Sequence, residues 1–271
     1  MPELPEVETT LRGIFPHIHQ QTITHTIIRQ RQLRWRIPSH LQKTLHNQKI
    51  IGAERRAKYL LLKTSAGTLI IHLGMSGHLR VLDKDVPPRK HDHVDIQFSN
   101  HKILRFNDPR RFGAILWTNK NPHHHALLKH LGVEPLSADF SAHYLMTRAK
   151  NRKLPIKSFL MDGKIVTGVG NIYAAEALFA ARISPLAAAN SVALEGLLKL
   201  VHAVKHILQD AIHRGGTTLK DFLHSDGKPG YFSHELKVYG RAGLPCIICG
   251  EKLKAVQIGQ RNTVYCEQCQ E

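Results

Sequence analysis

The chain has 271 residues, enough for two domains and a small appendage. Lys and Arg number 38 against 21 acids, a net charge of +17 before any of the 20 histidines is protonated, which predicts a polyanion as partner. The length and the 42% apolar content argue against a ribosomal or chromatin-packaging protein. With no apolar run of about eighteen residues and no basic-then-apolar leader, the reading is no membrane span, a cytosolic location and reduced cysteines.

The chain opens Met1-Pro2-Glu3-Leu4-Pro5-Glu6-Val7-Glu8. Once Met1 is removed, Pro2 is an N-terminal secondary amine with a carboxylate beside it. Such an amine has a reference pKa near ~8, against roughly 10.4 for lysine, so about a tenth of it is free base at neutral pH. Attack of that nitrogen on a sugar aldehyde carbon gives an iminium, an electron sink for cleaving neighbouring bonds. Glu3 is placed to move the protons. A plainer reading is a helix start. Pro5 suits the first turn, Glu3, Glu6 and Glu8 favour the positive end of the helix dipole, and Leu4, Val7, Leu11, Ile14 and Phe15 recur at helical spacing.

Residues from about 22 to 117 read as β-rich. Thr22–Arg29, Tyr59–Lys63, Thr68–Leu73, His93–Phe98, Ile103–Phe106 and Ala114–Trp117 are short runs rich in β-branched and aromatic residues, separated by turn formers. This spacing predicts a sandwich or flattened barrel. Lys58 begins a strand in the basic run Arg55-Arg56-Ala57-Lys58, as surface charge or as a phosphate ligand. His72-Leu73-Gly74-Met75-Ser76-Gly77 ends a strand at a glycine-flanked turn, where Met75 is a wedge or packs on a core edge. Asn107-Asp108-Pro109-Arg110-Arg111-Phe112-Gly113 is a turn presenting two guanidinium groups and an aromatic. Duplex-binding proteins wedge apolar side chains between base steps. Taken alone, however, Phe112 reads as a core residue.

From about 123 the period changes. His123-His124-His125 reads as a solvated loop, and short helices are expected around 154–162 and 172–181. Gly168-Val169-Gly170-Asn171 turns into the second of these, so Asn171 is either a phosphate ligand at the helix start or an ordinary cap. Leu197, Leu198, Val201, Val204, Leu208, Ala211 and Ile212 mark a long amphipathic helix stopped by Arg214-Gly215-Gly216. The glycine-rich segment at about 217–231 suits a mobile lid. Every cysteine lies in Cys246-x2-Cys249 and Cys266-x2-Cys269, sixteen residues apart. Two such pairs joined by a hairpin make one closed, structural Zn2+ site. The hairpin would hold Arg261 against a partner.

Together these segments resemble the bacterial formamidopyrimidine-DNA glycosylases, repair enzymes for oxidised purines. The match runs in order through Pro2–Glu8, the Leu-Gly-Met-Ser-Gly turn, Asp108–Gly113, Gly168–Asn171 and the four cysteines. The resemblance implies an α+β protein. It would have an N-terminal β-sandwich over 1–125, a helical domain with a helix–two-turn–helix motif over 126–234, and a zinc finger over 235–271. It also implies a monomer that binds duplex DNA in bacterial cytoplasm, at the nucleoid, and cuts by β,δ-elimination. Pro2 would be the Schiff-base nucleophile, Glu3 the general acid/base, Lys58 the lysine of β-elimination, and Arg261 the finger arginine of phosphate binding and δ-elimination. Met75, Arg110 and Phe112 would fill the gap left by the flipped base, Arg110 facing the orphaned cytosine. His72, His91, Arg152, Lys157, Asn171 and Tyr239 fall at DNA-contact positions, with Arg152 where many relatives carry lysine. Two rivals stand beside this. One is an oxidised-pyrimidine enzyme resembling endonuclease VIII, whose branch usually opens Pro-Glu-Gly-Pro-Glu. The other is a non-catalytic zinc-ribbon DNA-binding protein.

Overall fold

The computed structural model describes residues 2–216 and 236–271. The expected lid at 217–231 lies outside the described residues. Helix α1 (Leu4–Ile18) starts at Glu3, whose N–H donates to Glu6 Oε2 at 2.8 Å, as in a capping box. Leu4, Val7, Leu11, Ile14 and Ile18 are buried along one face. Phe15 is only half-buried and stacks its ring on His19 at 4.6 Å instead.

Next in chain order come β1 (Ile23–Ile28), α2 (Leu41–Leu45), β2 (Gly52–Arg56), β3 (Tyr59–Thr64), β4 (Gly67–His72), β5 (His78–Asp83), β6 (Asp92–Phe98), β7 (Lys102–Asn107) and β8 (Ala114–Thr118). They form two antiparallel four-stranded sheets, ordered β1-β6-β7-β5 and β2-β3-β4-β8. One hydrophobic core joins Leu60, Leu62, Leu69 and Ile71 of one sheet to Val94, Ile96, Leu104 and Phe106 of the other, with Val7, Leu11 and Ile14 of α1. This is the expected sandwich. Leu61 and Ile70, paired in register, are buried on the opposite face of their sheet, so these strands read as continuous apolar runs.

The helical part contains α3 (Ala142–Ala149), α4 (Ile156–Leu160), α5 (Asn171–Ala180) and α6 (Leu194–His213). Ser141 Oγ caps α3 by accepting Tyr144 N–H at 3.2 Å. The apolar face of α6 is narrower than its sequence pattern: Leu197, Leu200, Val204, Leu208 and Ala211 are buried, but Leu198 is 54% exposed. Finally β9 (Lys254–Ile258) and β10 (Arg261–Tyr265) pair as the expected hairpin. Gly259 and Gln260, at φ 53° and 60°, make its two-residue turn.

Among the described residues the chain packs as two compact units, one of residues 2–129 with 214–216, the other of 130–213 with 236–271. In the second unit, Ala175 and Phe179 of α5 share a core with Val238, Leu253, Val264, Cys246 and Cys266. Among the described residues, no helix is long and apolar enough to cross a membrane.

Candidate active site and metal centre

In the first unit, Pro2 and Glu3 are buried at the start of α1. The helix-start reading of the opening segment therefore holds, and the capped helix fixes the residues beside it. Lys58 does not begin a strand. Arg56 pairs with Tyr59, leaving Ala57 and Lys58 as the turn of the β2–β3 hairpin. Arg55 turns inward from the basic run and donates from Nε to Glu8 Oε2 on α1 at 2.9 Å. Tyr59 lies opposite His72 in the β3–β4 register, and their rings are 4.7 Å apart. Burial, then the positive charges of Lys58 and Arg34, push His72 down to about 4. It is a neutral imidazole at pH 7. Gly74 N–H donates to its Nδ1 at 3.1 Å, so the ring proton sits on Nε2, a donor next to the Lys58 turn.

The two turns expected to carry the wedge are interlocked. Gly74, at φ 68°, packs so closely that a Cβ would lie 2.4 Å from the Phe112 carbonyl carbon. Asp108 is fully buried. Its Oδ1 accepts from Ser76 Oγ at 3.0 Å and its Oδ2 from Gly113 N–H at 2.7 Å, joining the two turns through one carboxylate. Phe112 is not core: it is 44% exposed, with the Arg110 guanidinium 5.0 Å from its ring centroid. Met75 is half-buried on the neighbouring turn. His91, at φ 72°, sits at the entry to β6. Its carbonyl accepts Asp108 N–H at 3.1 Å, so it is tied to the same anchor.

The second unit gathers the other expected residues. Lys157 is buried, and its ammonium donates to Asn171 Oδ1 and Thr263 Oγ1, each at 2.6 Å. Asn171 does not cap α5, because Gly170 holds the cap position. Its amide instead accepts from Lys157 and donates to Asn262 O at 3.0 Å. Lys157 and Asn171, both expected at DNA-contact positions, thus clamp α4, α5 and the finger hairpin together. Arg261 is exposed beside the hairpin turn, and Arg152 is exposed just beyond α3. Glu176 of α5 accepts the N–H groups of Lys237, Val238 and Tyr239 at 2.9, 3.0 and 2.8 Å, which fixes the backbone at Tyr239.

Cys246, Cys249, Cys266 and Cys269 bring their sulfurs within 4.8 Å of one another. Cys246 and Cys269 Sγ are 3.9 Å apart, Cys249 and Cys266 Sγ 3.5 Å. Zn–S bonds of about 2.3 Å in a tetrahedron require S–S edges of about 3.8 Å, so the cage fits zinc. Burial raises Cys246, but backbone N–H groups from Cys249 and Ile248 outweigh it and bring the thiol to about 7. Hydrogen bonding to Cys249 pushes Cys269 up to about 12. Thiols this crowded do not all ionise without a cation among them. The site takes one structural Zn2+, and four protein ligands leave it no open position for catalysis.

Three family models match the chain in order: the formamidopyrimidine-DNA glycosylase N-terminal domain over residues 1–115, its H2TH domain over 131–223, and a zinc finger found in FPG and IleRS over 243–271. A Vibrio atlanticus protein named formamidopyrimidine-DNA glycosylase is 55% identical over 270 residues, covering 100% of both chains. The chain belongs to the formamidopyrimidine-DNA glycosylase family. It is similar to the crystal structure of the Thermus thermophilus MutM (Fpg) protein, with a TM-score of 0.89 at 36% identity over 99% of this chain and 98% of that one. It is also similar to wild-type Lactococcus lactis Fpg in complex with DNA containing N7-benzyl-Fapy-dG. There the TM-score is 0.92 at 32% identity over 100% of both chains. As a member of the formamidopyrimidine-DNA glycosylase family, the chain is a base-excision repair enzyme with glycosylase and lyase activities.

Sequence reading missed the residues that brace these side chains, Arg55, Ser76 and Asp108 in the first unit and Glu176 and Thr263 in the second. Asp108 alone carried a signal, as an acid before proline in a turn that returns to glycine five residues on. The partners of the others are set by tertiary contacts across many residues.

Proposed function

We propose that this chain excises oxidised purines, 8-oxoguanine and formamidopyrimidines, from duplex DNA and nicks the strand through a Schiff base on Pro2. The observation that carries this is the buried Pro2–Glu3 pair set at the start of α1 by the Glu3–Glu6 cap. With Met1 removed, the Pro2 nitrogen attacks C1′ of the extruded nucleotide, and the base leaves with a proton relayed by Glu3. The sugar ring then opens, O4′ leaving C1′ as a hydroxyl with a proton from Glu3, and the positive iminium so formed acidifies the C2′ hydrogen. Loss of that proton expels the 3′ phosphate, with Lys58 serving this β-elimination. A second elimination expels the 5′ phosphate, with Arg261 on it, and leaves a one-nucleotide gap. No step needs the zinc.

Extruding the base costs a few kcal/mol. Met75, Arg110 and Phe112 offset part of this by filling the gap, with Arg110 hydrogen-bonding the cytosine left behind. His72, as a neutral Nε2–H donor, joins His91, Arg152, Asn171 and Tyr239 along the phosphates. Lys157 serves them by ordering Asn171 and the finger. The working division is the sandwich at 1–125, the helical part at 126–234 and the finger at 235–271. The enzyme acts as a monomer in the bacterial cytoplasm, at the nucleoid.

Leu4 and the Arg110–Phe112 turn favour purines over the oxidised pyrimidines of endonuclease VIII. Excision from matched duplexes carrying 8-oxoguanine or thymine glycol tests this. Faster turnover of 8-oxoguanine opposite cytosine is expected, and preference for thymine glycol overturns the assignment.

A further inference from the structure

Within the basic run Arg55-Arg56-Ala57-Lys58, the Arg55 side chain is only 10% exposed. Its Nε donates to Glu8 Oε2 at 2.9 Å, and its Nη1 donates to Ala57 O at 3.0 Å. Glu8 lies on α1, within two turns of Pro2 and Glu3, and accepts from Arg12 Nε at 2.8 Å through its other oxygen. One guanidinium therefore spans the helix that carries the nucleophile and the turn that carries Lys58.

The second bond falls on a strained point. Ala57 is buried at φ 55°, a left-handed conformation that L residues other than Asn and Asp seldom adopt. Two-residue hairpin turns usually place Gly, Asn or Asp at such positions, and alanine brings no side chain to hold itself there. The Ala57 carbonyl also belongs to the same planar peptide unit as the Lys58 nitrogen. Fixing that oxygen fixes the plane from which the Lys58 side chain departs.

We propose that Arg55 is a positioning residue, which aligns Lys58 with the Pro2 amine for the elimination step. This rests on the roles of Pro2 and Lys58 given above. A fork-shaped guanidinium suits the task because it addresses two acceptors in one plane. A lysine ammonium reaches one of them without fixing their relative geometry.

The test uses single-turnover reactions of the full-length, zinc-loaded enzyme on a duplex with a preformed abasic site. Borohydride-trapped adduct reports Pro2 attack, and strand cleavage reports elimination. In Arg55→Met, adduct yield should stay within about twofold while cleavage slows about tenfold or more, since displacement of a reacting group by an ångström costs rate on that scale. Arg55→Lys should recover part of the cleavage. Glu8→Gln, which keeps an acceptor for Arg55 and the shape of α1, should slow cleavage in the same direction by less. It carries the test if Arg55→Met does not melt like the parent protein. Equal loss of adduct and cleavage, or unchanged cleavage in the folded variants, overturns the proposal. Absence of an adduct in the unsubstituted enzyme would instead sink the Pro2 reading beneath it.

Discussion

Asp108 is fully buried, and its two carboxylate oxygens accept from Ser76 Oγ and Gly113 N–H in different turns. A buried charge held this way is costly to disturb, because each charged hydrogen bond contributes roughly 1.5–3 kcal/mol and the abandoned donors remain desolvated. Under the proposed function its position also bears on recognition, since Met75 stands on one of the joined turns and Arg110 and Phe112 on the other. Asp108→Ala should therefore destabilise the first unit by about 3 kcal/mol in denaturant unfolding. It should also narrow the preference for cytosine opposite 8-oxoguanine in excision assays. A variant that melts lower but keeps its full opposite-base preference would separate the anchor from recognition. At this scale the sequence was partly readable. Pro2, Glu3 and the cysteines carry chemistry in their residue types alone. Phe112 reads as core by type, yet it is exposed, because its backbone is held against Gly74 in the neighbouring turn while its ring lies by the Arg110 guanidinium. Lys157 is placed at a DNA-contact position by the family resemblance alone. Its burial depends on α4, α5 and β10 meeting, which no local pattern encodes.

Among the elements, the finger hairpin was the most legible. Gly259-Gln260 supplies the turn, and the cysteine pairs fix what the hairpin must bring together. Strand β2 was missed, as its residues Gly52–Arg56 are half-buried throughout and carry no alternation at the edge of their sheet. The short helix α4 falls where its pattern predicts, and its one lysine is buried against Asn171 and Thr263. The finger depends on its metal more than on its small core, which is shared with Ala175 and Phe179 of α5. A strong chelator should release one equivalent of zinc per chain, measured with a chromophoric indicator. Duplex binding should fall with it, as Arg261, Thr263 and Asn262 lose their common support. Zinc release with full retention of DNA binding would contradict the role given to the hairpin.

Across the whole molecule, the charge of +17 was the earliest pointer to a polyanion, and membership of a family of DNA glycosylases agrees with it. The sandwich class followed from strand spacing, whereas the order β1-β6-β7-β5 did not. That order pairs Ile23–Ile28 with residues some seventy positions away, beyond the reach of local patterns. About six phosphate contacts from such a surface should make affinity fall about a thousandfold between about 50 and 200 mM salt, and a nearly flat response would argue against broad phosphate contact. The proposed chemistry, however, rests on one nitrogen, that of Pro2. The most direct measurement is borohydride trapping on duplex DNA containing 8-oxoguanine, followed by digestion and mass mapping of the cross-linked peptide. A covalent adduct on the N-terminal peptide at Pro2 is expected, lost in Pro2→Gly prepared with Met1 removed. An adduct mapping to Lys58 or elsewhere, or one undiminished in Pro2→Gly, would rule out Pro2 as the nucleophile.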